Sequence, residues 1–218
     1  MRVRADLNIS LDGIAATVDG TPEDPIGRDW LRLVEPCTAT RTFRARVLGD
    51  ASGAGTTGVD DAYVAAAFEG IGAEIMGAGM FGLHAHPDDP DWRGWWGENP
   101  PFHCPVIVLT HAPRPPLEMA GGTTFHFVAA SERDALALAA RYADGRDVRI
   151  GGGVTVVRAF LRAGLIDELH VAITPIVLGR GMRLWDDLRG LEQGFRVRSE
   201  AAESGVLHVT FTRDAGAS

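Results

Sequence analysis

The sequence predicts a single α/β domain with a mixed, mostly parallel central sheet, flanking helices and an antiparallel hairpin at the C-terminal end. Short apolar runs typical of buried strands alternate with segments whose apolar residues follow helical spacing, and this alternation favours a parallel sheet. The last two strand patterns, 195–202 and 206–213, instead flank Ser204 and Gly205, which predicts a hairpin. No linker, repeat or low-complexity tract interrupts the chain, so one domain is expected over 1–218.

The N-terminal residues predict a strand followed by a long loop. Apolar and polar residues alternate through 2–10, which is the period of a half-buried strand. Asp12 and Gly13 then form a common turn pair. Residues 13–30 combine acids with glycine and proline, which is typical of a loop that covers a ligand. The segment 31–48 is ambiguous, although its apolar residues suggest a short helix.

The middle of the chain predicts helices between buried strands. After a glycine-rich stretch, Asp60 and Asp61 are expected to cap one helix. Ser131, with an acid three residues later, indicates the capping box of a second. A third helix follows a glycine triplet and is expected to stop at Gly164. The runs that predict the strands are 73–77, 105–110, 123–128, 148–150 and 169–177.

Composition and charge exclude several functional classes. All 21 basic residues are arginine and 29 residues are acidic, and the net charge of −8 disfavours nucleic-acid binding. Because lysine is absent, Schiff-base chemistry and a P-loop are excluded. The sequence has neither an apolar run of membrane-spanning length nor the apolar core of a signal peptide, so we expect a cytoplasmic protein without a membrane partner. Cys37 and Cys104 lack metal or redox spacing and are expected to be buried thiols.

Three strand ends carry residues suited to a bound nucleotide. Gly151–Gly153 follow a strand and precede a helix, so a phosphate could approach the backbone and the positive end of the helix. The alternative is an ordinary tight turn, because the triplet lacks the GxGxxG spacing. Gly77 and Thr110 end two other strands. Since ligands bind at the carboxyl ends of strands in open α/β sheets, these positions predict one edge of a nucleotide site.

The long loop after residue 81 concentrates aromatic side chains. Three of the five tryptophans lie within five residues of each other. Their rings could cover a planar substrate, form a dimer contact or pack the loop onto the body of the protein. The aromatic candidates for substrate binding are Trp92, Trp95, Trp96 and Phe102.

The same loop also contains potential metal ligands. They are His84, His86, Asp88 and Asp89. Because they lack the fixed spacing of a tetrahedral site, a solvated loop is expected and no metal is predicted. A metal-dependent hydrolase at 84–103 is therefore disfavoured.

Acidic residues at two strand boundaries allow both functional and structural interpretations. Asp12, at a strand end, could have a raised pKa and donate a proton, or it could orient the N–H groups of a ring. The alternative for Asp12 is a simple turn. Asp167 and Glu168 lie between a helix end and a strand, where acids commonly cap local N–H groups, so we interpret them as structural.

Several motifs together resemble the dihydrofolate reductase-like family, which includes the reductase domain of bifunctional riboflavin deaminase-reductases. The motifs occur in the family's order over nearly the whole chain, and the most specific part runs from Gly164 to Trp185. They are SLDG at 10–13, IMG at 75–77, VLT at 108–110, IGGG at 150–153, GLIDEL at 164–169 and PIVLG at 175–179. The resemblance implies a dihydrofolate reductase-like three-layer fold, NADPH as hydride donor, a pterin-, folate- or pyrimidine-like heterocyclic substrate, and a homodimer.

Carried over by position, the resemblance assigns the cofactor to the three strand ends and the residues that follow them. The candidates for cofactor binding are Gly77, Ala78, Met80, Thr110, His111, Arg114, Gly151, Gly152, Gly153, Val154 and Thr155. Asp12 and the loop after it would face the substrate, which makes Asp12 the candidate catalytic residue.

Two positions depart from the family pattern and keep a second function open. Ala78 stands where relatives often carry arginine, so a cation for the 2′-phosphate is missing unless His111 or Arg114 replaces it. Ile150 stands where riboflavin-pathway reductases carry glutamate, and the zinc-deaminase motif is absent. The sequence therefore predicts an NADPH-dependent reductase of a small heterocycle. The alternative is a non-catalytic protein of the same fold that binds a nucleotide, flavin or pterin.

Overall fold

The structure, a computed structural model, describes residues 1–21 and 26–214. Its strands are β1 (Val3–Ser10), β2 (Ile14–Ala16), β3 (Ile71–Gly77), β4 (Pro105–Leu109), β5 (Leu117–Glu118), β6 (Thr124–Val128), β7 (Asp147–Gly152), β8 (Glu168–Thr174), β9 (Met182–Arg183), β10 (Phe195–Ala201) and β11 (Leu207–Arg213). Its α-helices are α1 (Arg28–Thr38), α2 (Arg41–Arg46), α3 (Val59–Phe68), α4 (Ala78–Phe81), α5 (Glu132–Ala143) and α6 (Val154–Arg162). Among the described residues, no helix has both the length and the apolarity needed to cross a bilayer.

The first of two compact units comprises Met1–Ala5 and Gly70–Asp167. Its strands lie in the order β1, β7, β3, β4, β6 and β5, and all of these pairings are parallel except that of β5 with β6. Helix α5 packs on β3, β4 and β7, and α6 packs on β7 and β3. Strand β3 is buried from Gly72 to its end, as expected for a parallel strand that is covered on both faces.

The second unit comprises Asp6–Glu69 and the chain from Glu168 onward. Its strands lie in the order β10, β11, β8 and the remainder of β1. Strand β11 runs antiparallel to both β10 and β8, while β2 and β9 form a small antiparallel pair. Helices α1, α2 and α3 pack on one another, and α1 also contacts β8.

The sheet class and the regular elements predicted from the sequence are confirmed. The parallel strands, the C-terminal hairpin and the N-terminal strand all form. Ser131 accepts a hydrogen bond from the backbone N–H of Asp134, at 3.2 Å, and so begins α5 as the capping box predicts. Gly164 follows the end of α6 with a φ of 68°, the left-handed conformation of a C-terminal glycine.

The differences from the sequence prediction lie in loops and at element boundaries. The predicted loop 13–30 contains β2 and the start of α1, and its residues 22–25 lie outside the described part of the chain. The ambiguous segment 31–48 forms most of α1 and all of α2. Strand β8 stops at Thr174 because the following residue, Pro175, has no N–H for a further ladder bond.

The predicted cap of α3 is displaced by two residues. Gly58, rather than Asp60 or Asp61, occupies the N-cap position. Asp61 accepts a hydrogen bond from the backbone N–H of Thr42, at 2.8 Å, and Asp60 bonds to His208. The two acids therefore lie in the first turn, where their charge suits the helix dipole, and their side chains bind other elements of the second unit.

Candidate functional site

Two glycine turns of the first unit pack against each other where β3 and β7 end. A Cβ atom at Gly77 would lie 2.9 Å from Cγ2 of Val156 and 4.0 Å from the backbone N of Gly153. A Cβ atom at Gly152, whose φ is +125°, would lie 3.0 Å from Sδ of Met80. A side chain at Gly77 would collide with Val156, and the positive φ of Gly152 is strained for other residues, so both positions favour glycine.

The N-terminus of α6 opens from these turns. Gly153 occupies the N-cap position with no side-chain cap, and apart from its chain neighbours no heavy atom of the described chain lies within 4 Å of the place where its Cβ would be. The backbone N–H groups of Val156 and Val157 bond to the carbonyl of Gly153, at 3.0 and 3.2 Å. The N–H groups of Val154 and Thr155 come before the first intrahelical bond and have no acceptor within the helix. Such N–H groups at the positive end of a helix suit an anion.

A buried ion pair supports the turn at the end of β7, and the sequence analysis missed it. Glu74 is 1% exposed and pairs in register with Arg149 on the neighbouring strand. Its Oε2 accepts hydrogen bonds from Nε and Nη2 of Arg149, at 2.9 and 2.6 Å. A Cβ atom at Gly151 would collide with Oε1 of Glu74, so the carboxylate fills the space of a side chain there. An acid inside an otherwise apolar strand pattern was the available signal.

The end of β4 places two of the predicted cofactor residues. Thr110 continues the strand by donating its N–H to the carbonyl of Val128, at 3.0 Å. Its Oγ1 accepts a hydrogen bond from the N–H of Ala112, at 3.1 Å, and so shapes the turn. His111 is exposed. The imidazole of His111 is therefore accessible to solvent, while the backbone hydrogen bond of Thr110 fixes its position at the end of β4.

Arg114 anchors the aromatic loop. Its guanidinium carbon lies 4.2 Å from the ring centre of Phe127 and 5.2 Å from that of Phe81. Nη2 donates to the carbonyl of Trp92, at 2.7 Å. Desolvation by burial lowers the pKa of Arg114, and the charge of Asp89 partly opposes this shift. The guanidinium nevertheless keeps its charge at neutral pH. The cation is thus partly engaged by the loop before any ligand is considered.

Trp96 and Phe102 pack into the core of the first unit. Their ring centres lie 4.9 Å apart, and Trp96 stacks on Phe125 at 6.0 Å. Phe102 is 9% exposed, and Phe125 is fully buried. Of the three roles considered for these two residues, the structure shows packing, and their contact with a substrate stays a prediction.

Trp92 and Trp95 lie nearer the surface. Trp92 donates its Nε1–H to the carbonyl of Phe81, at 2.8 Å, and stacks on His86 with ring centres 3.7 Å apart. Trp95 lies edge-on to Trp92, at 4.7 Å, and is 40% exposed. Trp95 is therefore the ring of this cluster best placed to meet another molecule.

The metal ligands and thiols considered from the sequence do not form a reactive centre in the described part of the chain. No three His, Cys, Asp or Glu side chains among the described residues are grouped so as to hold a metal ion. Cys104 is buried. Burial, with a smaller effect from the charges of Asp60 and Asp6, raises the pKa of Cys37 to about 12. The thiol of Cys37 is therefore neutral at physiological pH and a poor nucleophile.

In the second unit, the carboxylate of Asp12 joins two chain segments. It accepts hydrogen bonds from Oγ of Ser10 at 2.6 Å, from the N–H of Leu178 at 3.1 Å and from the N–H of Gly179 at 2.8 Å. These bonds, above all that from Ser10, lower the pKa of Asp12 to about 2. The expectation of a raised pKa is wrong, because the donors stabilise the ionised form. Asp12 is consequently unsuited to donate a proton near neutral pH.

We predict that Asp12 titrates near pH 2 and that its ionised form stabilises the fold. Since the folded pKa lies below the ordinary 3.8, this stabilisation is present above pH 4 and is lost as the pH falls towards 2. Asp12→Asn should unfold at a lower temperature than the wild type at pH 7, and the difference should shrink in acid. Thermal unfolding between pH 7 and pH 2.5 measures the difference.

The matched control for this experiment is Asp144→Asn. Asp144 is exposed and has a φ of 50°, a conformation that asparagine also tolerates. Its substitution should leave the pH dependence of unfolding close to that of the wild type. A carboxyl-carbon NMR titration of Asp12 with a midpoint between pH 6 and 7 would contradict the assignment and restore a proton donor.

Asp167 of the GLIDEL motif has the structural role predicted for it. Asp167 Oδ2 accepts a hydrogen bond from the N–H of Val3, at 2.8 Å, and the N–H of Asp167 donates to the carbonyl of Val3, also at 2.8 Å. Glu168 begins β8. The motif thus fixes the first residues of β1 to the chain segment after α6.

Comparisons with known proteins agree with this architecture. Residues 2–207 match the model of the RibD C-terminal domain family. YyaP of Bacillus subtilis (strain 168), an uncharacterized protein, is 31% identical over 67 residues, which are 31% of this chain and 36% of YyaP. The match to this curated relative thus spans little more than a third of its length.

Solved structures share the fold over almost the whole chain. A candidate riboflavin biosynthesis protein of Shewanella sp. PV-4 superposes with a TM-score of 0.59 at 22% identity, covering 98% of this chain and 99% of that one. A diaminohydroxyphosphoribosylaminopyrimidine deaminase/5-amino-6-(5-phosphoribosylamino)uracil reductase of Thermotoga maritima gives 0.52 at 17% identity, covering 98% of this chain and 56% of the longer enzyme. The dihydrofolate reductase-like fold expected from the motifs is confirmed. This chain belongs to the RibD C-terminal domain family.

Proposed function

We propose that this protein is an NADPH-dependent reductase that transfers a hydride to a C=N or C=O bond of a small pterin-, folate- or pyrimidine-like heterocycle. Membership of the RibD C-terminal domain family supports an oxidoreductase of the pyrimidine or folate type. The observation that carries the proposal is the opening at the start of α6, where Gly153 has no side-chain cap and its Cβ position meets no atom within 4 Å beyond its chain neighbours.

The residues of this opening fit the phosphates of a dinucleotide. The N–H groups of Val154 and Thr155 and the positive end of the α6 dipole would hold the pyrophosphate, without requiring a lysine. His111 and Arg114 are the proposed partners of the 2′-phosphate, in place of the arginine that is absent at Ala78. The other proposed cofactor contacts are Gly77, Met80, Thr110, Gly151, Gly152 and Gly153. When bound, NADPH supplies the hydride, while the protein binds and orients it.

For the substrate, we propose that Asp12 acts as a hydrogen-bond acceptor that orients ring N–H groups. An ionised carboxylate can accept such bonds, and its low pKa leaves water as the proton source. Contacts of the substrate with Trp92, Trp95, Trp96 and Phe102 remain proposals, as do a homodimer, a single domain over 1–218 and a cytoplasmic location.

The test is a fluorescence titration with NADPH and with NADH, followed by assays of absorbance loss at the nicotinamide band. We expect NADPH to bind with micromolar affinity. We also expect NADPH to be oxidised when a dihydropterin, dihydrofolate or a ribosylaminopyrimidine is added as substrate. If neither dinucleotide binds, the reductase proposal is wrong. Binding of NADPH without turnover of any of these compounds would favour the non-catalytic alternative, which the departures at Ala78 and Ile150 suggest.

We predict that Trp95→Ala raises the KM for the heterocyclic substrate at least several-fold with little change in unfolding temperature, because the ring is 40% exposed. For the effect on stability, the comparison is Trp96→Ala, which removes a ring packed on Phe125 and should destabilise the protein by roughly 3–5 kcal/mol. Steady-state kinetics and thermal unfolding of both variants measure these effects. A changed molecular mass of Trp95→Ala with an unchanged KM would show that the ring forms a subunit contact instead.

A further inference from the structure

The second unit contains a row of side chains from four elements, hydrogen-bonded one to the next. Asp6 on β1 contacts His170 on β8, with Oδ1 and Nδ1 3.2 Å apart. Nε2 of His170 lies 2.9 Å from Nδ1 of His208 on β11. Nε2 of His208 lies 2.9 Å from Oδ1 of Asp60 on α3. We call these four residues the His-Asp row, and the proposed reductase function makes no use of them.

Packing fixes the orientation of both imidazole rings. Tyr63, one helical turn after Asp60, stacks on His170 with ring centres 4.4 Å apart and on His208 at 4.1 Å. His208 is 3% exposed and Asp60 is 9% exposed. Because Tyr63 covers one face of each imidazole, the ring nitrogen atoms interact in the ring plane, along the row. Water has little access to compete for the bond between His208 and Asp60, while the side chains of His170 and Asp6 are 12% and 21% exposed.

Other titratable groups face the row from α1 and β10. Burial raises the pKa of Cys37 on α1 to about 12, and the charges of Asp60 and Asp6 add to this shift. Glu200 on β10 accepts a hydrogen bond from the hydroxyl of Tyr63, at 3.4 Å. The thiol is therefore neutral, and the charges next to the imidazoles are negative.

The hydrogen bonds along the row require a particular number of protons. The three contacts along it can all be hydrogen bonds only if each contains one proton. Ionised carboxylates supply none, and each neutral imidazole supplies one. With two neutral rings, one contact therefore lacks its proton and two lone pairs face each other. One further proton completes the set.

We propose that the His-Asp row is a proton-binding site that holds one proton beyond those of two neutral imidazoles, with His170 as the imidazolium. His170 then donates from Nδ1 to Asp6 and from Nε2 to His208, and neutral His208 donates from Nε2 to Asp60. Desolvation by burial is the largest effect on the pKa of His208 and lowers it, as does the charge of His170, while Asp60 and Glu200 oppose this shift. This direction agrees with a neutral His208 beside a charged His170.

The proposal implies that the row stabilises the fold most near the pH at which free imidazoles titrate, about 6.5. Above this pH, the folded row holds one proton that the unfolded chain has lost, so stability falls as the pH rises. Below it, both unfolded imidazoles are charged while His208 stays neutral in the folded protein, so stability falls as the pH drops. Each limb should change the unfolding temperature by roughly 3–5 °C per pH unit.

The direct test is NMR of the wild-type protein labelled with ¹⁵N in histidine. At pH 6.5 we expect both nitrogens of His170 to carry protons and Nδ1 of His208 to be an unprotonated acceptor. A scalar coupling between Nε2 of His170 and Nδ1 of His208, transmitted across the hydrogen bond, should be visible. Two neutral rings without this coupling would overturn the proposal, and this outcome requires no variant to fold.

Variants provide a second readout that does not depend on reductase activity. His170→Gln should flatten the alkaline limb of unfolding temperature against pH, relative to the wild type. The matched control is His126→Gln in the first unit, which replaces a part-buried histidine stacked on Tyr142 at 4.6 Å. His126→Gln should keep the alkaline limb. Identical profiles for both variants and the wild type would contradict the proton-binding site.

Discussion

Gly153→Asp is expected to weaken NADPH binding by about two to three orders of magnitude while leaving α6 at least as stable as in the wild type. Aspartate is a preferred N-cap residue, and its charge suits the positive end of the helix dipole. Because no described atom beyond its chain neighbours lies within 4 Å of the Cβ position of Gly153, the side chain can be accommodated. A carboxylate about 4 Å from a phosphate costs about 4 kcal/mol of repulsion near a protein surface. The dissociation constant should therefore rise roughly 100- to 1,000-fold.

Gly153→Asn separates this charge effect from the added volume. Asparagine has the same shape and caps a helix as well as aspartate does, so its thermal unfolding should match that of Gly153→Asp. Its NADPH affinity should fall by less than about tenfold. Calorimetric titration of both variants gives the comparison. If both bind NADPH as the wild type does, no phosphate lies at the start of α6.

Glu74→Gln is expected to be the most destabilising single change near the glycine turns. It removes the negative charge that pairs with Arg149. The side chains of Glu74 and Arg149 are only 1% and 11% exposed. Loss of one partner from a buried ion pair costs about 3–5 kcal/mol. For a chain of this length, the unfolding temperature should fall by roughly 10 °C or more. Calorimetry of the purified variant measures the fall.

The double variant Glu74→Leu with Arg149→Met is the control for Glu74→Gln. Replacing both charges by apolar side chains of similar size is often neutral for stability, so the double variant should recover most of the lost unfolding temperature. Glu74 also occupies the space beside Gly151. The NADPH affinity of the double variant therefore tests whether Glu74 supports the glycine turn. A Glu74→Gln protein as stable as the wild type would contradict the structural role of the pair.

The parts of the fold that the sequence predicted are those encoded by local patterns. Strand β1 follows from alternation, α5 from Ser131 and its acidic partner three residues later, and the end of α6 from Gly164. Strands β5 and β9 were missed because two residues are too few to show a period. The locations of the glycine turns could also be predicted from the sequence, since glycine is typical of turns and of positions where the backbone approaches another group closely.

The electrostatic properties of the candidate site could not be predicted because they depend on contacts between distant parts of the sequence. The low pKa of Asp12 arises from Ser10, two residues away, but also from the N–H groups of Leu178 and Gly179, more than 160 residues along the chain. Glu74 and Arg149 are 75 residues apart and meet only because β3 and β7 are neighbours. Neither the type of a residue nor its spacing along the sequence indicates which distant residues will pair.

The central claim is that NADPH binds the first unit at the start of α6, and amide chemical-shift mapping tests it most directly. On addition of NADPH to ¹⁵N-labelled protein, the largest shifts are predicted for the backbone amides of Gly153, Val154 and Thr155, with a second set at Gly77. Shifts confined to the second unit, for example in the groove lined by Trp185 and Phe211, would contradict the claim.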